Sequence, residues 1–152
     1  MVGTLFSGIG AFEEALKQLH LPHQIRFACD NGEIEFIPFQ DAKVRKEYKD
    51  LEHRLKSLND EERFRYNYLK SESARIIEEL RRRCYAMPNN AERTRFINQL
   101  YVQFSPYKNH NYVKDSYLAN YNLAEDDFHT DVRFIKGDEY VNQIDIMVGG
   151  SP

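Results

Sequence analysis

Tryptophan is missing from this chain, and cysteine occurs only twice in 152 residues. Cys29 and Cys84 stand 55 positions apart with no zinc-ligand spacing around them, so they read as free thiols. No apolar run approaches the roughly 20 residues of a membrane span. The N-terminus has no basic stretch followed by an apolar one, which excludes a secretion signal of the usual kind and makes a cytoplasmic location the expectation. There is no internal repeat, no low-complexity tract, no Ser/His/Asp set and no phosphate-binding loop. Glycine, at seven residues, is scarce and mostly clustered: Gly8 and Gly10 near one end, Gly149 and Gly150 near the other.

Hydrophobic residues make up 41% and charged residues 30%, the balance of a globular domain with a core. Aromatics, ten Tyr and ten Phe, are plentiful. The net charge of −3 hides a split. Residues 41–110 carry 16 Lys+Arg against 11 Asp+Glu, a net of +5, and the remainder 5 against 13, a net of −8.

Three apolar stretches read as parallel strands: Val2–Phe6, Ile25–Cys29 and Ile144–Val148. Val132–Ile135 reads as a fourth. Between the first two, Ser7-Gly8-Ile9-Gly10 leads into a helix over Ala11–Leu19, with Phe12, Ala15, Leu16 and Leu19 at helical spacing and Pro22 beyond it. Strand, glycine turn, helix, strand is the βαβ opening of a doubly wound α/β sheet. From Asp41 the pattern turns polar and helical. Val44, Tyr48, Leu51 and Leu55 form one stripe, and Phe64, Tyr68, Ile76, Ile77 and Leu80 a second after the break at Asn59-Asp60. A third helix covers Ala91–Phe104 after Met87-Pro88-Asn89-Asn90.

As a dinucleotide fingerprint the glycine turn is incomplete. That motif needs a third small residue where this chain has Glu13, so the nicotinamide reading fails. Two glycines still let a ligand come close to the backbone, and helix N–H groups beyond them suit a carboxylate. Asp30, ending the second strand, is placed to accept from two ribose hydroxyls, or else is a cap or solvated charge.

The string Leu5-Phe6-Ser7-Gly8-Ile9-Gly10-Ala11-Phe12, with Glu13-Glu14-Ala15-Leu16 after it, resembles the S-adenosylmethionine (AdoMet) motif of the DNA (cytosine-5)-methyltransferase family. Asp145–Pro152 resembles that family's strand into its Gly-x-Pro-Cys loop, and Tyr117-Leu118-Ala119-Asn120 fits its Tyr-x-x-Asn helix. The resemblance implies a Rossmann-like AdoMet-binding sheet over residues 1–40 and 111–152, interrupted by a helical insertion over 41–110. It implies AdoMet contacts from Phe6, Ser7, Gly8, Ile9, Gly10, Asp30, Asn31, Asp131, Val132 and Pro152, with Asp131 facing the adenine amino group. Asp30 stands where the family more often has Glu, and Asn31 where it often has a bulky residue. Gly149-Gly150-Ser151-Pro152 would present the nucleophilic cysteine at the next position, so the 152 residues alone are expected to be inactive.

The implied activity is methyl transfer to carbon 5 of cytosine in double-stranded DNA, in a prokaryotic restriction-modification setting. The alternatives are a non-catalytic piece of a split methyltransferase completed by a second chain, and an inactive remnant serving protein interaction. His129 reads as a surface residue and Cys29 as a buried small hydrophobe. Arg75 and Arg81-Arg82-Arg83 are a solvated helix face, a phosphate contact or a contact with another subunit. Those arginines could also lower the thiol pKa of Cys84, but no base or motif accompanies it.

Overall fold

A computed structural model describes residues 1–105 and 110–150. Four strands, β1 (Val2–Leu5), β2 (Ile25–Cys29), β3 (Phe128–His129) and β4 (Ile146–Gly149), form one parallel sheet in the order β3-β2-β1-β4. Among the described residues five α-helices accompany it: α1 (Ala11–Gln18), α2 (Ala42–His53), α3 (Asp60–Tyr85), α4 (Asn90–Phe104) and α5 (Tyr112–Asn120). Among the described residues, no helix is long and apolar enough to cross a membrane, and no group of three His, Cys, Asp or Glu side chains could hold a metal ion.

Side chains alternate across a strand, and β2 shows how the two faces are covered. Ala28 faces α5 and packs with Tyr117 and Phe128. Phe27 faces the other way, edge-on to His129 and tilted against Tyr140. α1 joins α5 on the first face through Glu13, which is 1% exposed and accepts from the Thr4 and Tyr117 hydroxyls. The helical spacing of α1 therefore holds with a different buried set: Glu13 and Leu16 point inward, while Ala15 and Leu19 are exposed. His20, at φ 53°, turns the chain away before Pro22 is reached.

The breaks in the helical region fall at side-chain caps. Asp41, Asn59 and Asn89 accept from N–H groups of the first turns of α2, α3 and α4. α3 runs unbroken for 26 residues and packs in two halves. Its first half buries Tyr66 and Leu69 against Ile37, Phe39 and Leu51. Its second half buries Leu80 and Cys84 with Ile97, Leu100, Tyr101 and Phe104 of α4, and with Ile34, Phe36 and Phe134. At ~1.5–3 kcal/mol for each large apolar side chain buried, this shared core ties the helices to the segments leaving β2 and β3.

Two expected stripes are corrected. Phe64 and Tyr68 are 76% and 51% exposed because the buried face of α3 is the one carrying Tyr66 and Leu69, and Leu55 lies in an exposed turn after α2. The expected strand over Val132–Ile135 is also corrected. Val132–Phe134 is a 3-10 turn capped by Asp131, and the strand lies earlier, at Phe128–His129. Consequently His129 is not a surface residue. It is buried in β3 and bonded through Nε2 to the Tyr140 hydroxyl at 2.6 Å.

Candidate functional site

Five of the sequence-expected residues, Phe6, Asp30, Asn31, Asp131 and Val132, meet at the C-terminal ends of the strands. β1 leaves the sheet through a turn that enters the left-handed region at Phe6 (φ 55°), Gly8 (53°) and Gly10 (87°). For a non-glycine residue such as Phe6 that conformation costs of order 1 kcal/mol, and its ring is left 44% exposed. The two glycines do different work. A methyl group on Gly8 would meet nothing within 4 Å, so its backbone is open to a ligand. A methyl group on Gly10 would overlap the ring of Tyr121, whose hydroxyl donates to the Gly10 carbonyl at 2.7 Å. Packing therefore accounts for Gly10 without any ligand. Ile9 is 68% exposed on the outside of the turn. Ser7 Oγ and Glu13 Oε2 are buried beneath the turn with no hydrogen-bond partner.

Asp30 ends β2 beside this turn. Its Oδ2 accepts from Gly8 N and its Oδ1 from Gly32 N, each at 2.8 Å. One N–H per oxygen leaves each with further acceptor capacity. Asn111, the cap of α5, donates to the Asp30 carbonyl at 2.8 Å. Asn31 spends its amide locally, accepting from Glu33 N and donating to the Ile34 carbonyl.

Asp131 follows β3 and is held differently. Its Oδ1 accepts from Arg133 N and Arg133 Nε at 2.9 Å, and its Oδ2 accepts from Arg133 Nη2 at 2.6 Å and the Tyr101 hydroxyl at 2.9 Å. Burial, followed by the charge of Asp131, drives the Tyr101 hydroxyl pKa far above its ordinary value. For Arg133, burial opposes the cation, but hydrogen bonding to Asp131 and its charge hold the pKa above the usual arginine value.

A cavity of about 190 Å³ opens between these carboxylates, lined by Phe6, Asp30, Asn31, Asp131 and Val132. Its remaining wall is Cys29, Thr130, Tyr101 and Arg133. Larger hollows exist among the described residues: two along α2, of about 280 and 390 Å³, a polar one of about 290 Å³ beside Asn98, Asn111 and Lys114, and an apolar one of about 530 Å³ against Phe27, Tyr140 and Met147. None of them is lined by Phe6, Asp30 or Asp131, the groups gathered at the strand ends where ligands of open α/β sheets sit. Gly149 pairs with Leu5 at the tip of β4, with Gly150 after it, while Ser151 and Pro152 lie outside the described residues.

Both thiols are unsuited to nucleophilic work. Burial, followed by the charges of Asp131 and Asp30, pushes the Cys29 pKa far up, and burial pushes that of Cys84 up to about 11. Three of the four arginines singled out on α3 are paired one turn away: Arg75 with Glu72, Arg81 with Glu78 and Arg82 with Glu79. Arg83 lies over the Phe96 ring at 5.4 Å. Tyr101, Arg133 and Asn111 were not anticipated as parts of the site. Arg133 stands two positions from Asp131 and could have been found by that spacing, but nothing in the sequence marks Tyr101. No family model, no curated protein and no solved structure matches the chain.

Proposed function

We propose that this chain is the N-terminal, AdoMet-binding part of a DNA (cytosine-5)-methyltransferase of the restriction-modification type, built on a Rossmann-like sheet. The observation that carries the reading is the convergence of Phe6, Asp30 and Val132 on one cavity beside the glycine turn. The strand order β3-β2-β1-β4 is compatible with it: the order reverses between β1 and β4, and the cavity lies to one side of that point, at the ends of β1, β2 and β3.

Phe6, Gly8, Asp30 and Val132 fit the cofactor, whereas the acceptor positions of Asp131 are taken by Arg133 and Tyr101. Open space at Gly8 admits close approach to the backbone, and Asp30 keeps acceptor capacity for ribose hydroxyls. Phe6 and Val132, both exposed, offer apolar surface for a purine ring. AdoMet, when bound, supplies the electrophilic methyl group. This chain's own part is to bind and orient: Asp30 fixes the sugar, Phe6 and Val132 cover the base, and the glycine turn shapes the cleft. Neither Cys29 nor Cys84 can supply the attacking thiolate. Double-stranded DNA is the proposed substrate, with the net +5 of residues 41–110 as one source of attraction.

A second reading, a subunit of a split enzyme, is favoured by β4. It is an edge strand with Ile146 and Met147 47% and 55% exposed, able to accept a further strand from another chain.

Titration calorimetry with AdoMet tests the main reading. Saturable binding that weakens about tenfold in Phe6→Ala supports it, on the scale of one lost stacking contact. Absence of binding, or binding indifferent to Phe6, rejects it. The chain incubated with duplex DNA and labelled AdoMet should leave the DNA unlabelled.

A further inference from the structure

Asp131 is the most heavily engaged polar group of the pocket. Four donors, Arg133 N, Nε and Nη2 and the Tyr101 hydroxyl, surround its two oxygens. A carboxylate offers about four acceptor positions, so none remains for a ligand. The donors differ in mobility. Arg133 N is fixed by the 3-10 turn, and the Tyr101 hydroxyl by a side chain 4% exposed within the α4 cluster. The other two belong to one guanidinium whose side chain is 39% exposed. That guanidinium already lies 5.2 Å from the centre of the Phe36 ring, a second partner for the cation.

We propose that Arg133 is an exchangeable plug on Asp131. A ligand N–H donor, the 6-amino group of a purine nucleoside, takes an acceptor position that the guanidinium gives up, while Tyr101 keeps the carboxylate aimed into the cavity. The proposal rests on reading the cavity as a nucleoside pocket. It makes Arg133 a specificity-determining residue and Tyr101 a positioning residue. It also gives the helices a stake in the site, since Tyr101 belongs to α4.

The test uses the full chain and two nucleosides, adenosine and purine riboside, which lacks the 6-amino group. Removing the plug frees a buried acceptor that only adenosine can satisfy. Calorimetry should show Arg133→Ala binding adenosine about tenfold more tightly than the natural chain does, the scale of a hydrogen bond to a charged group. Purine riboside affinity should not change. Arg133→Lys, which cannot form the fork, should move adenosine in the same direction by less, and it carries the test should the alanine variant not fold. Tyr101→Phe should weaken adenosine several-fold and leave purine riboside alone.

Unchanged adenosine affinity in the folded Arg133 variants overturns the plug while leaving the nucleoside pocket intact. An equal gain for both nucleosides also overturns it, showing that Arg133 merely fills space. Failure of the natural chain and the folded Arg133 variants to bind either nucleoside overturns both the plug and the reading beneath it.

Discussion

Two carboxylates of the same type stand at the ends of neighbouring strands, and they are held by opposite means. Asp30 is gripped by backbone N–H groups of Gly8 and Gly32, whose turns lie close by. Asp131 is gripped by side chains, one of them Tyr101, 30 positions away in sequence. The first arrangement leaves lone pairs available and depends on chain geometry. The second fills the carboxylate and depends on how distant helices pack. A strand-end acid is thus a ready acceptor only where the backbone, rather than a side-chain network, holds it.

The largest expected effect comes from Asp131→Ala, which strands the Tyr101 hydroxyl and the Arg133 guanidinium together. Urea unfolding should show a loss of about 3 kcal/mol; a loss as small as that of Asp30→Ala would erase the contrast. Next is the pH response of β3. Burial first, then the nearby cations Arg93 and Arg26, lower the His129 pKa from 6.5 to about 4. The unfolded chain therefore takes a proton that the folded chain refuses. Stability should be level above about pH 6.5 and fall towards pH 4 by as much as about 3 kcal/mol. His129→Gln should flatten that part of the profile.

Asp30→Ala should cost about 1–2 kcal/mol of stability, since Gly8 N and Gly32 N lose their acceptor. AdoMet binding should weaken by a further ~1.5–3 kcal/mol, and unchanged affinity in calorimetry would make Asp30 purely structural. The smallest effect is expected on α3. Arg81→Ala and Arg82→Ala each remove one helix-surface ion pair, worth about 0.3 kcal/mol. If these arginines touch phosphates, the triple alanine variant, which includes Arg83, should flatten the salt dependence of DNA affinity by up to about 0.9 per lost contact. An unchanged slope assigns them to their glutamates.

The same contrast explains what could be read in advance. The glycine turn, the place of Asp30 at the end of β2 and the breaks at Asn59 and Asn89 were legible because each is a local device, settled within a few residues. Val132–Ile135 misled because its apolar run imitates a strand. Asp131 instead caps a turn there, and Phe134 is drawn into the α3–α4 cluster. Phe64 and Tyr68 misled because one helix offered more apolar faces than its neighbours could cover. His129 looked like a surface residue until β3 moved onto it. Tyr101 carried no signal, since its role exists only once α4 lies against the turn after β3.

The hydrogen bond from Asn111 to the Asp30 carbonyl joins residues 81 positions apart. A side chain at Gly32 would overlap Asn111, so departure and return touch at one point. The excursion between them is pinched at its neck like a purse. Lengthening a closed loop costs little, roughly 0.6 kcal/mol per doubling. Its far end can therefore be lengthened or trimmed while the cleft stays put, provided the face of α4 that returns Tyr101 to Asp131 and packs on Phe134 is kept.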